Sequence, residues 1–335
     1  VRPCINSCSA EFKADTNKIY YGLGAIKSVG YEAISNVVNE RKKNGVFKSL
    51  NDFINRVDPK DVNKLQLEGL VKAGAFDEID DNRKKIFSSI PKIISTIKSK
   101  YDEKTSNQTN LFENFSDLSN DTFDFDIKEP WTKKELLLEE FFSLGFYISD
   151  HPLNEYKNLF LELKIKSYKE FLDSNQNESL VAGTIMSILE KKSSKGTPFA
   201  IVKFSDNTSE YELFLFSELL INNREKLKES SSFILTLQKD RAIGENNQRR
   251  INVRKIIDLN EIVNKPYDKV SIELDKDYNL EEIKDALKEE GETEINIVIT
   301  ENNKILKFKL EKTRKFDLTL FNDIKNKQYV KKISF

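Results

Sequence analysis

Residues 101–130 carry eight acidic and two basic side chains, a balance of −6, and few of their residues could build a core. A stretch of that composition cannot bury enough apolar surface to offset the entropy of ordering it, so it reads as an acidic linker. The chain on either side must therefore fold from separate local patterns. The 335 residues, with 38% hydrophobic and 33% charged content, suit two to four soluble domains with modest cores. Net charge is −1, which argues neither for nor against a polyanionic partner, but its distribution is informative. Residues 18–100 hold 16 basic and 10 acidic side chains, a basic block ahead of the acidic linker.

Cys4 and Cys8 are too few for a structural zinc site or a disulfide framework, so reduced thiols and a cytoplasmic location are expected. No apolar run reaches membrane-spanning length, no membrane partner is expected, and the start at Val1-Arg2-Pro3 suggests a chain that begins inside a longer protein. The single histidine, His151, stands before Pro152 and reads as a packing residue at a turn, which leaves no Ser/His/Asp arrangement elsewhere.

Before the linker the spacing is helical. Ala33, Ile34, Val37 and Val38 share one face; Val62, Leu65 and Leu70 share another, with Gly74 placed to end that helix. Ile86, Phe87, Ile90, Ile93, Ile94 and Ile97 keep the same period, but Pro91 in mid-helix would cost about 3 kcal/mol, so two short helices with Pro91 opening the second are expected. After the linker a helix runs from Trp131 to Leu144 and stops at Gly145.

From Ser179 the period changes to two. Strands are expected at Leu180–Leu189, Phe199–Ser205, Tyr211–Phe216, Phe233–Gln238 and Ile251–Leu259, with a helix over Glu218–Leu227, the order of an OB-fold β-barrel. Residues 268–335 read strand (270–274), helix (280–290), strand (294–300), strand (304–310), helix (318–326), strand (329–334), matching a small ferredoxin-like α+β domain with a split βαβ unit. The fold class is multi-domain α+β.

Three features point to binding. Gly22 to Gly30 form a glycine-rich turn before a helix, whose free N–H groups and positive dipole end suit a backbone phosphate, as in helix-hairpin-helix modules. Gly24, Lys27, Ser28 and Gly30, with Arg41, Lys42 and Lys43 for charge neutralisation, are the candidate duplex-DNA residues; the alternative is that the glycines serve tight helix packing. In the barrel, Lys191, Lys192 and Lys195 occupy the first hairpin loop, and Lys239, Arg241, Arg249 and Arg250 the loop between the last two strands. These loops border the usual oligonucleotide face and are candidates for single-stranded DNA, against a plain solvated rim. Phe199, Phe204, Phe214 and Phe216 supply stacking surfaces wherever alternation turns them outward. Third, Gln108, Leu111 and Phe112 give an amide and two apolar anchors within the linker, either a docking peptide or a segment that folds back on its own chain.

Tyr21-Gly22-Leu23-Gly24-Ala25-Ile26-Lys27-Ser28-Val29-Gly30, Phe47-Lys48-Ser49-Leu50 with Asp52-Phe53, Asn63-Lys64, Leu70-Val71-Lys72-Ala73-Gly74-Ala75-Phe76-Asp77, and Leu144 to Leu153 (LGFYISDHPL) together resemble the alpha subunits of bacterial DNA polymerase III, replicative C-family polymerases. The resemblance runs from about residue 1 to 260 and is strongest over 18–153. It implies the end of the fingers and a helix-hairpin-helix region over 1–100, a sliding-clamp (beta subunit) motif at Gln108, Leu111 and Phe112 within 101–130, a helical connector over 131–175, an OB domain near single-stranded template over 176–262, and a C-terminal domain over 266–335 that meets the clamp-loader tau subunit. Ser28 departs from the pattern, which has glycine there. The resemblance also places the metal-bound carboxylates of polymerisation in a palm upstream of residue 1. Mg2+ is therefore expected in that palm, no cofactor in this chain, and no polymerisation by this chain alone. The acidic Asp121, Asp124 and Asp126 read as solvated charge. The competing readings are a free-standing single-strand-binding or adaptor protein and a DNA ligase; the second lacks a Lys-x-Asp-Gly adenylation motif.

Overall fold

The computed structural model describes residues 1–105, 125, 128–240, 250–263, 267–301 and 304–335. The chain divides into two units, Val1–His151 and Pro152–Phe335. Among the described residues no helix is long and apolar enough to cross a membrane.

The first unit opens with a small ribbon, β1 (Lys13–Asp15) and β2 (Lys18–Tyr20), followed by a 3-10 turn at Leu23–Ala25. Five helices follow: α1 (Tyr31–Asn44), α2 (Leu50–Arg56), α3 (Lys64–Lys72), α4 (Arg83–Thr105) and α5 (Lys133–Leu144). Their ends are written in the sequence. The Ser49 side chain caps α2, and Asn63 with Gln66 and Thr132 with Glu135 close reciprocal capping boxes at α3 and α5. The α3 helix ends in a Schellman turn: Gly74, at φ 78°, donates to the Val71 carbonyl and Ala75 donates to that of Leu70. The core gathers Ile34, Val37, Val38, Leu67, Leu70, Ile86, Ile90, Ile93 and Ile97 around Phe47, Phe53 and Phe76, whose rings meet edge-on at 5.2 and 5.1 Å. Each buried ring contributes roughly 1.5–3 kcal/mol.

Two expectations about these helices are corrected. Pro91 does not divide the third apolar run, because α4 is continuous over 23 residues. Ile86, Ile90, Ile93 and Ile97 are all buried on one side while Pro91 faces solvent, so packing of the stripe outweighs the missing hydrogen bond. Leu65 points outward, 61% exposed, and Leu67 takes the core position instead. The linker also joins α4 to α5 within one unit. Lys100 and Lys104 donate to the Asn55 side chain and carbonyl at the end of α4, and Asn82 donates to the Lys128 carbonyl on the return side.

The second unit contains the short helices α6 (Lys157–Glu162) and α7 (Tyr168–Asp173) and two sheets. In the first sheet β3 (Glu178–Lys192), β4 (Pro198–Ser205), β5 (Glu210–Phe216), β6 (Ser232–Lys239) and β7 (Ile251–Asp258) run antiparallel in the order β5-β4-β3-β6-β7, with α8 (Ser217–Asn223) after β5 and α9 (Leu259–Val263) after β7. The long strand β3 pairs with β6 through Glu178–Thr184 and with β4 from Thr184 onward, and a bulge at Met186 lets it bend between the two partners. Gly183 admits the Tyr211 hydroxyl, which a Cβ there would meet at 2.3 Å. The expected OB barrel is not closed by hydrogen bonds: among the described residues no ladder joins β5 to β7. Strands β5 and β7 still touch, and helix α8 packs against β4, β5 and β7 with Leu220 in the core.

The second sheet comprises β8 (Lys269–Leu274), α10 (Leu280–Ala286), β9 (Glu290–Glu301), β10 (Lys304–Lys309), α11 (Leu318–Lys325) and β11 (Val330–Ser334), with strand order β10-β9-β8-β11. The elements come in the expected order, although α10 ends at Ala286 and β9 already begins at Glu290, within the expected 280–290 helix; the sheet is not the expected ferredoxin-like one. There β8 and β9 would be split by an intervening strand; here they are adjacent and parallel. The reason lies in burial. Ile295, Ile297 and Ile299 of β9 are buried and suit a central strand, whereas every residue of β10 is exposed and takes the edge.

Candidate nucleic-acid interface

The turn before α1 is fixed at both ends by backbone hydrogen bonds. Leu23 and Gly24 donate to the Ser9 and Ala10 carbonyls at 2.9 Å, and Lys27 donates to that of Ser143 at 3.0 Å. Gly22 and Gly24 are required by packing, because a Cβ on Gly22 would stand 2.7 Å from the Phe12 nitrogen and one on Gly24 3.0 Å from the Ala10 oxygen. The packing role of these glycines is therefore real. Gly30 is different, since a Cβ there would meet nothing closer than 3.5 Å.

What the turn leaves open is a row of donors. Val29 donates to Ile26 and Ile34 to Gly30, but among the described residues the N–H groups of Ser28 and Gly30 make no hydrogen bond. Gly30 is the N-cap of α1 and supplies no side chain, so the first N–H groups of the helix also point into solvent with the positive end of its dipole. Lys27 is exposed beside them. Ser28 sits at φ 66°, the left-handed region that favours glycine. Sequence reasoning missed Gly69. It lies in α3 where a Cβ would stand 2.6 Å from the Lys27 carbonyl oxygen, so that helix supports the turn from below; an isolated glycine inside a helical pattern was the available signal.

Of the other cations assigned to the duplex, Arg41 is corrected. It is buried, and its Nη1 donates to the Ile5 and Cys8 carbonyls, tying the N-terminal segment to α1. Burial holds its pKa below the ordinary value. Lys42 and Lys43 are exposed in the last turn of α1, roughly 18 Å along the helix axis from Gly30, so they do not share one phosphate seat with Lys27. A groove of about 390 Å³ runs along that helix past Phe12, Lys13, Tyr31, Ser35 and Lys42. In it the Tyr31 hydroxyl donates to the Glu11 carboxylate at 2.7 Å, a bond that raises the tyrosine pKa.

The residues quoted from Lys72 to Asp77 and from Leu144 to Pro152 are structural. Arg83 grips Asp77 through two bonds of 2.8 and 2.6 Å, and the buried Glu140 carboxylate accepts the N–H groups of Ile148 and Ser149 at 2.8 and 2.9 Å. These contacts hold α5 and its following loop in the first unit.

On the five-stranded sheet, Lys191, Lys192 and Lys195 are exposed around the β3–β4 hairpin, where Gly196 takes φ 79°. Arg250 is exposed at the base of the second loop, pairing backbone with Asp240; Arg241 and Arg249 lie outside the described residues. Lys239 is not a free cation, because its ammonium donates to the Leu172 and Ser174 carbonyls. Registers fix the aromatic faces. Phe199 stands opposite Phe216, and Ile201 opposite Phe214, on the side away from the core. The Phe199, Phe214 and Phe216 rings form a triangular cluster, each pair of centroids 6.3–6.4 Å apart, with Phe214 40% and Phe216 50% exposed and Lys191 paired beside Phe199. Phe204 faces inward and is fully buried, so it offers no stacking surface. Gln108, Leu111 and Phe112, like Asp121, Asp124 and Asp126, lie outside the described residues. Among the described residues no cluster of three or more His, Cys, Asp or Glu side chains could hold a metal ion.

Comparison with known proteins places these features in a context. Residues 1–86 match the family model of a helix-hairpin-helix motif. DNA polymerase III subunit alpha of Rickettsia prowazekii is 36% identical over 225 residues, covering 66% of this chain and 19% of that protein. The subunit of the same name from Caulobacter vibrioides is 31% identical over 246 residues, 72% of this chain and 21% of its own. That of Buchnera aphidicola is 29% identical over 337 residues, 98% of this chain and 29% of its own. The chain spans about a fifth to under a third of the length of these relatives.

Proposed function

Because the chain belongs to the family of DNA polymerase III alpha subunits, we propose that it supplies DNA grip and partner contacts to a replicative, DNA-directed DNA polymerase, not the nucleotidyl-transfer chemistry itself. The observation that carries this reading is the open row of N–H groups from Ser28 into α1, with Lys27 beside it, inside the segment that matches a helix-hairpin-helix motif. Those donors suit a duplex phosphate and read no base, so binding is sequence-independent and weakens steeply with salt.

The five-stranded sheet serves single-stranded template in the manner of an OB fold, a reading supported by its strand order and by the cluster of Phe199, Phe214 and Phe216 beside Lys191. Gln108, Leu111 and Phe112 dock into the sliding clamp, and residues 266–335 meet the clamp-loader tau subunit; both assignments rest on the family resemblance. The clamp raises the local concentration of the polymerase at the primer end without new contacts to DNA. The protein acts in the cytoplasm.

The test is anisotropy of a labelled primer–template duplex titrated with the chain at several salt concentrations. Lys27→Ala should weaken binding to all sequences alike and reduce the salt slope by about one. An unchanged slope and affinity would remove the turn from the duplex interface.

A further inference from the structure

Gly30 has no structural need to be a glycine. Its backbone, at φ −72° and ψ 130°, is one that any residue adopts, and a Cβ there would meet nothing closer than 3.5 Å. The atom that such a Cβ would meet first is Nε2 of Gln66, a side chain only 5% exposed.

Gln66 is the third residue of α3, and the capping box of that helix orients its carboxamide. Oε1 accepts the Asn63 N–H at 3.1 Å, which fixes the oxygen and leaves the NH2 group turned to Gly30. Among the described residues that NH2 group donates to nothing, although a polar group so nearly buried is ordinarily paired. Gly69, farther along α3, is what lets the helix come this close: a Cβ on it would stand 2.6 Å from the Lys27 carbonyl oxygen. The unpaired amide is therefore aimed, across the gap that Gly30 leaves empty, at the same place as the free N–H groups of Ser28 and Gly30.

We propose that Gln66 is part of the phosphate seat, its Nε2 donating to the backbone phosphate that the N–H groups of Ser28 and Gly30 receive. A phosphodiester presents two unesterified oxygens, enough for donors that arrive from α3 on one side and from the turn on the other. Glycine at position 30 then has a reason, because a side chain there would stand between the anion and the amide. This role of Gln66 rests on the reading of the turn as a seat for duplex phosphate. It adds a donor without charge, which holds the anion without releasing a counterion.

The experiment titrates the labelled primer–template duplex with the full chain, with its Gln66→Glu and Gln66→Met variants and with Lys27→Ala, by anisotropy at several salt concentrations. Gln66→Glu keeps an oxygen for the Asn63 N–H, so the capping box stands, but replaces the donor with an anion. Gln66→Met keeps the length of the side chain without donor or charge. Both should weaken binding about tenfold at low salt, and Gln66→Met should do so with the salt slope unchanged. Thermal melts report the fold, and Gln66→Glu should melt with the wild type. Wild-type affinity in either Gln66 variant overturns the proposal, since loss in the glutamate variant alone is repulsion at a distance and loss in the methionine variant alone follows from the broken cap. Lys27→Ala separates this outcome from failure of the seat itself. If it weakens binding while the Gln66 variants do not, the turn holds phosphate without Gln66; if all three bind as the wild type does, the turn holds none.

Discussion

Position 28 shows how one residue can be both legible and strained. The glycine pattern around it announces a tight turn, and the turn indeed demands φ 66° of a serine. Left-handed backbone costs a non-glycine residue about 1–2 kcal/mol, part of which glycine gives back as unfolded-state entropy. Ser28→Gly should therefore raise stability by up to about 1 kcal/mol, whereas Ser28→Val, β-branched at the same φ, should lower it by about 1–2 kcal/mol. Urea unfolding of the three proteins checks this, and equal midpoints would contradict it. Arg41 was not legible in the same way. An arginine in the last turn of a basic helix looks like its neighbours Lys42 and Lys43, and only the carbonyls of Ile5 and Cys8, 36 and 33 residues away, decide that it is buried.

At the scale of elements, alternation and capping carried most of the reading. Strand β5 alternates exposed and buried at every residue, and Asn63, Thr132, Gly74 and Gly145 stand where helices begin or end. Sheet order was less accessible. The succession β-α-β-β-α-β is the same for a split unit and for the adjacent, parallel β8 and β9 found here, and the choice depends on which strand can bury both sides. The face of Phe214 and Phe216 was likewise open until the register with β4 fixed it. Stacking of bases on that face should contribute about 1–3 kcal/mol per base. Phe214→Ala/Phe216→Ala should weaken binding of a labelled oligothymidine while leaving duplex affinity unchanged, and both are read in one anisotropy series. Equal loss on the two ligands would mean that the rings support the fold rather than contact bases.

For the whole molecule, the division into Val1–His151 and Pro152–Phe335 separates the proposed partner contacts. Clamp binding should disappear in Leu111→Ala/Phe112→Ala and survive removal of residues 268–335, while tau binding should show the reverse; surface plasmon resonance with the cognate partners distinguishes them. Loss of both in either protein would deny the separation. Both helices that flank the acidic stretch belong to the first unit, with the end of α4 pinned to Asn55 and the return side pinned through Asn82. Gln108 lies three residues beyond Thr105, no more than roughly 10 Å of extended chain. Under the proposed clamp assignment, a ring engaged at Gln108 would be tethered within three residues of Thr105 to the same unit that carries the Ser28–Gly30 turn, which limits how far it can stray from a duplex held there.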